Sequence, residues 1–174
     1  QIVRTQQMFQ FADLGQLSEG LKMSFSSAKM AQVPFASLLV AIGQLNSAGL
    51  QGSMAGTAFS AMLRQMDKAA AVLGFTVART ASGQVDLATT LDQLRTRVGP
   101  FEAMSAKTRE ALQKAFGDEG LRAVAALMAK TAEFRSSLSE VEGAAGAAAE
   151  AQRRMESTAG ARWARIQARF VNLM

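Results

Sequence analysis

The chain has 174 residues, 49% of them hydrophobic, with 10 Met, 10 Phe, one Trp and no Tyr. Cys and His are both absent, which excludes disulfides, thiolate nucleophiles, Cys/His zinc sites and a Ser-His-Asp hydrolase. The 19 Lys and Arg against 14 Asp and Glu give a formal charge of +5, a mild excess that favours an anionic surface without demonstrating one.

Helix is the state that the composition favours almost everywhere. Small and straight-chain helix formers dominate, and only two prolines interrupt them. We therefore predict an all-α fold: a multi-helix bundle with a small β-hairpin excursion near 75–87 and a long C-terminal helix.

Two helices are expected before the first proline. Residues 2–12 read as the tail of one helix, and Asp13 can cap a second that runs from about Leu14 to Gln32. Its expected buried face, at three- and four-residue spacing, consists of Leu14, Leu17, Leu21, Phe25, Ala28 and Met30. Val33 precedes Pro34 and should be extended, which ends this helix.

A glycine-containing joint separates the next two predicted helices. The first begins at Pro34 and is apolar over much of its circumference, so it belongs in the middle of the bundle. Gly49 is suited to the left-handed conformation that ends a helix, and Ser53 is a hydroxyl N-cap for a helix from Met54 to about Leu73. Gly74 should end that helix.

The pattern changes between residues 75 and 87. β-Branched residues alternate around a Ser82-Gly83 turn, which predicts a short two-stranded hairpin or an extended excursion. Because an isolated hairpin is marginally stable, it should lie against helices.

Short helices should follow. One is expected over Leu87 to Val98, ended by Gly99 and Pro100. Ser105 can cap a helix that runs through Phe116 and is broken at Gly117, and Asp118 can cap the next.

The last stretch, from about Glu133, has a heptad-like apolar seam with a register slip near Gly160. It predicts a long amphipathic, coiled-coil-like helix leading into a rod. We therefore divide the chain into a helical core domain over 1–131 and this terminal helix over 132–174. The longest apolar stretch is far below the roughly 20 residues of a bilayer span, so no transmembrane segment is predicted. The start at Gln1 suggests a fragment of a longer protein.

No arrangement of residues points to catalysis, so we predict that the chain is not an enzyme and uses no cofactor or metal. The spacing of Gly49, Gly52 and Gly56 matches neither Gly-x-Gly-x-x-Gly nor the P-loop, and a turn with close helix packing explains them better.

The terminal helix carries a candidate interaction face, composed of Arg153, Arg154, Arg162, Trp163, Arg165, Ile166, Arg169 and Phe170. Such a stripe could bind DNA or a membrane surface. The alternative is a solvated face beside a coiled-coil seam, which the neighbouring Glu150 and Glu156 favour.

Several ordered motifs resemble the core region of phage tail tape measure proteins. The glycine joint matches that family at Asn46, Ala48, Gly49, Gly52, Ser53, Gly56, Thr57 and Ala58. A second element resembles the family's "L-F-G-x-x-G" pattern at Phe116, Gly117 and Gly120, and a third resembles it over Leu73 to Val85. Together these motifs span about two thirds of the chain.

The resemblance implies a structural protein of a phage or prophage tail that scaffolds tube assembly and sets tail length. It implies manufacture in the bacterial host cytoplasm and a place in the tail lumen of the virion. It also implies association as a parallel homo-oligomer and contacts with tail tube, baseplate or tail-assembly chaperone proteins. A basic helical module that binds DNA or a membrane surface is the alternative.

Overall fold

The computed structural model describes residues 14–147 and residue 150, and this part of the chain confirms the all-α prediction. Six α-helices and one turn of 3-10 helix, Phe101–Ala103, follow one another without a strand in these residues. The helices are α1 (Leu14–Met30), α2 (Phe35–Ser47), α3 (Ser53–Leu73), α4 (Leu87–Val98), α5 (Ala106–Ala129) and α6 (residues 131–147).

Helix α3 is the centre of the bundle. This 21-residue helix packs most extensively against α5 and next against α1, while α2 contacts α1, α3 and α5. Phe59 and Met62 on α3 and Leu39 on α2 have no exposed surface. As predicted, α2 is buried over most of its length, from Ser37 to Leu45.

The buried face of α1 differs from the predicted one. Leu17 and Ala28 are buried as expected, but Phe25 is 53% exposed and Met30 84% exposed. The small residues Gly20 and Ser24 take the inward positions instead. Because α3 approaches α1 closely at Gly20, that position has no room for a large side chain.

The predicted β-hairpin near 75–87 is wrong. Arg79 and Val85 form a single isolated antiparallel bridge, flanked by Thr80 N–H to Gln84 O at 2.8 Å and Asp86 N–H to Ala78 O at 2.9 Å. The pairing ends there because Leu87 already begins α4. The Val85 N–H donates instead to the Gln32 carbonyl, at 3.0 Å, which ties this loop to the end of α1.

Several predicted helix ends are confirmed. Gly74 has the left-handed conformation, with φ 73° and ψ 40°, at the end of α3. Ser105 Oγ accepts from the Thr108 N–H at 3.1 Å and caps α5. Asp86, a cap that was not predicted, accepts from the Thr89 N–H at 3.0 Å and precedes the first residue of α4.

Candidate functional site

The predicted glycine joint lies between α2 and α3. Gly49 has a φ of 91°, and its N–H donates to Asn46 O at 3.0 Å. The next N–H, of Leu50, reaches back to Leu45 O at 2.9 Å. This pair of bonds is a Schellman motif, which satisfies the last carbonyls of α2 and needs a left-handed residue at position 49.

The predicted N-cap at Ser53 is wrong, because Gly52 occupies the cap and Ser53 is the first residue of α3. The Gly52 N–H donates to Asn46 Oδ1 at 3.1 Å, and Asn46 Nδ2 donates to Ile42 O at 2.8 Å. One Asn side chain on α2 therefore holds the residue that precedes α3. The φ of 53° and ψ of −123° at Gly52 strongly favour glycine there.

Gly56 brings α3 into backbone contact with α1. A Cβ atom at position 56 would lie 2.4 Å from the Gly20 carbonyl oxygen and 2.7 Å from Met23 Cβ. A Cβ atom at position 20 would in turn lie 2.8 Å from Ile42 Cγ2 and 3.0 Å from Gly52 O. A side chain at position 56 would therefore require the α1 backbone to shift, and one at position 20 would require Ile42 and the Gly52 carbonyl to give way.

Two serines lie beside this crossing, one turn further along each helix. Ser60 Oγ on α3 donates to the Met23 carbonyl of α1 at 3.2 Å. Ser24 Oγ donates to the Gly20 carbonyl at 2.7 Å, within α1. A serine hydroxyl linking α1 and α3 thus adds to the glycine contact, whereas Thr57 points away and is exposed.

The second predicted motif packs α5 on α3. A Cβ atom on Gly120 would lie 3.2 Å from Met62 N and 3.3 Å from Met62 Cα, so α5 also touches the backbone of α3. Phe116 is 2% exposed and fills the core beside it. Gly117, with φ 70° and ψ 172°, interrupts the helical backbone at the predicted break, where α5 is kinked rather than divided into two separate helices.

The two motifs therefore act on the same helix. Gly56 places α3 against α1, and Gly120 places α5 against α3 only six residues further along that helix, at Met62. Gly49, Gly52 and Gly117 supply positive-φ positions around these contacts. The partner residue Gly20 was missed, because its role depends on a helix 36 residues away and leaves no local pattern.

The start of α6 docks on the bundle. Phe134 has no exposed surface and Val141 is 1% exposed, and both belong to the hydrophobic core. Gln44 Nε2 on α2 donates to the Lys130 carbonyl at 3.3 Å, and Arg135 forms a salt bridge with Asp92 on α4. Residues 131–141 thus pack against the proposed core domain, whose boundary at 131 stays a prediction.

Neither a cluster of carboxylates nor a deep cleft with free charges stands out among the described residues. They contain no group of three or more carboxylates that could hold a metal ion. A shallow groove of about 500 Å³ lies between the end of α3 and α4. Its charged groups already have partners, since Asp92 pairs with Arg135 and Arg97 Nε donates to Leu73 O at 3.1 Å.

None of the helices in the described part has the length and hydrophobicity of a membrane span. The predicted interaction face, from Arg153 to Phe170, lies outside the described residues. The rest of the predicted heptad seam, beyond residue 150, lies outside them too.

Comparison with known proteins finds a match to one family model. A family model described as "Phage-related minor tail protein" matches residues 1–117, which covers α1 to α4 and the first half of α5. No curated protein and no solved structure shows a significant match to the chain. The matched range contains Gly49 to Thr57, Phe116 and Gly117, and it ends before Gly120.

Proposed function

The chain belongs to the phage-related minor tail protein family, and on this basis we propose that it is the globular module of a tape measure protein. In this role it scaffolds assembly of the tail tube, and an attached helical rod sets the tail length. Membership of the family implies a component of the virion; the position in the tail lumen is part of the proposal.

The observation that carries the proposal is the family match together with the motifs that extend beyond it. The tape measure resemblance includes the glycine joint and the Phe116-Gly117-Gly120 element. In the structure, each places one helix on α3 by backbone contact. These motifs are therefore architectural, which fits a protein whose task is placement.

The construction of the bundle supports a mechanical role. Helix α3 is held on one side at Gly56 and on another at Met62. Close-packed interiors deform little and transmit strain. We propose that this module is a rigid head from which the terminal helix departs, in contact with tube, baseplate or tail-assembly chaperone proteins.

The ruler mechanism has a simple physical basis. An α-helix rises about 1.5 Å per residue, so an extended helical rod converts residue number into distance linearly. We propose that several copies lie in parallel in the tube. Tube growth stops when the rod is covered.

The test uses the phage or prophage that carries the gene. An in-frame insertion of about 40 helix-forming residues in the rod should lengthen the tail by about 60 Å in electron micrographs. An insertion of the same length in the exposed loop around Gly83 is the control, because that loop lies outside the rod. Unchanged tail length in the rod variant would contradict the ruler role.

The alternative function is a basic module that binds DNA or a membrane surface. It depends on the five arginines between Arg153 and Arg169. Binding to duplex DNA that weakens steeply with added salt, and that is lost when these arginines are replaced by Gln, would favour this alternative. The ruler proposal expects neither.

A further inference from the structure

A single residue separates α5 from α6. Lys130 has a φ of −129° and a ψ of 36°, whereas residues on both sides are helical. Its N–H reaches Leu127 O at 3.3 Å, and its carbonyl accepts from the Phe134 N–H at 2.9 Å. The Lys130 side chain is itself 45% exposed and forms a salt bridge with Glu133 at 3.1 Å.

The docked segment, residues 131–141, is joined to its site through this one residue. At that site the side chains of Phe134 and Val141 are buried, and Arg135 forms a salt bridge with Asp92. The hinge itself is held by the amide of Gln44. None of these contacts needs the segment and the site to belong to the same chain.

We infer that the docked segment is exchanged between copies of this chain, so that it packs on the site of a partner copy. If Lys130 becomes helical, α5 and α6 merge into one continuous helix, and the segment leaves its own bundle. Short, constrained hinge loops favour this kind of exchange. The inference deepens the self-association in the proposed function and rests on it.

The site that binds residues 131–141 indicates that the same segment of a second copy would bind there. The cavity for Phe134 is already complementary to that ring, and Asp92 already faces the position of a guanidinium. A second copy supplies the same groups in the same spacing, so exchange recovers the contacts of Phe134, Arg135 and Val141 and gives up only the Gln44 contact at the hinge. When α5 and α6 merge into one helix, Lys130 also becomes helical.

The hinge can be biased with a matched pair of variants, Lys130→Ala and Lys130→Gly, which both remove the exposed side chain. Alanine favours a continuous helix over glycine by about five-fold per residue. A dimer with two straightened hinges should therefore have a dissociation constant about 25-fold lower for K130A than for K130G. Sedimentation equilibrium measures this ratio, and circular dichroism checks that both variants fold. Equal constants would overturn the exchange.

Cross-linking tests the contact itself. The described residues contain no cysteine and the sequence has none, so Asp92→Cys and Arg135→Cys introduce unique thiols on separate chains. After the two variants are mixed, a short bifunctional maleimide should link them into a heterodimer. Lys114→Cys mixed with Arg135→Cys is the control, since Lys114 is exposed on another part of α5.

The outcomes separate the two proposals. Self-association without a cross-link between D92C and R135C would overturn the exchange and leave the tail role intact. A chain that stays monomeric at every concentration would overturn both the exchange and the proposed homo-oligomer. Preferential cross-linking of D92C with R135C over the control supports the exchange.

Discussion

Gly20 and Gly56 touch backbone to backbone: a Cβ atom on Gly56 would lie 2.4 Å from the carbonyl oxygen of Gly20. The contact joins two helices separated by a turn, a helix and a joint in the sequence. It determines how closely α1 approaches α3, and with it the position of the Ser60 hydroxyl on Met23 O.

Gly56→Ala should destabilise the bundle by about 1–3 kcal/mol or more, because the methyl group collides with a backbone atom rather than a flexible side chain. Urea denaturation measures the free energy of unfolding. Gly143→Ala is the matched control: Gly143 lies in α6 with nothing within 4 Å of an added Cβ. That change should be neutral or stabilising by up to about 1 kcal/mol. Equal effects at the two positions would contradict the close crossing.

Gly117→Asn should lower the free energy of unfolding by more than Gly74→Asn does. Gly117 has a ψ of 172°, in a region that is open almost only to glycine, and a substitution there should cost about 1–3 kcal/mol. Gly74 is in the left-handed helical region, which Asn tolerates, so the cost there should be about 1 kcal/mol or less. Thermal unfolding of the two variants gives the comparison. The reverse order would show that α5 straightens at residue 117 without penalty.

Asp86→Ala should destabilise the protein by about 1 kcal/mol, because the first turn of α4 loses its cap at the Thr89 N–H. The Thr89 hydroxyl loses its partner as well, at 2.7 Å from Asp86 Oδ2. Asp86→Asn keeps an acceptor oxygen and should retain most of the stability. If the two variants unfold at the same temperature as each other but below the wild type, the negative charge rather than the cap is what matters.

Gln44 offers a test of the polar contact at the hinge. It is 1% exposed, and its Oε1 accepts no hydrogen bond from the described residues, so Gln44→Met should change stability by less than about 1 kcal/mol. Gln44→Glu should cost about 3 kcal/mol or more, because a buried carboxylate would face the Lys130 carbonyl oxygen. Chemical denaturation of both variants checks the order. A tolerated Glu would mean that water reaches this site.

Local signals in the sequence were sufficient for most of the helix ends. Gly49, Gly74 and Ser105 act through their own φ angle or hydroxyl group on the adjacent turn, so a single stretch of sequence predicts their roles. The all-α class followed in the same way from helix propensity and apolar spacing.

Contacts between distant elements account for the errors. The face of α1 was predicted from apolar residues at three- and four-residue spacing, but Gly20 and Ser24 face inward and Phe25 is exposed, because α3 approaches α1 at Gly20. Ser53 is the first residue of α3 rather than its N-cap, and Gly52 before it is held by a hydrogen bond to Asn46 on another helix.

The predicted hairpin failed for a similar reason. The alternation of β-branched residues is present, but the second arm ends at the α4 cap after one bridge. Its Val85 N–H is directed to Gln32, a residue that no local pattern connects to it.

The position of Gly120 has a consequence for synthesis on the ribosome. The face of α3 around Met62 emerges roughly sixty residues before the helix that covers it. At about 5–20 residues per second, this apolar surface stays open for several seconds in each nascent chain. Ribosomes that translate the same message hold several such nascent chains close together, where their exposed apolar surfaces can associate. We therefore expect the yield of folded protein to depend on translation speed and on chaperones that bind nascent chains.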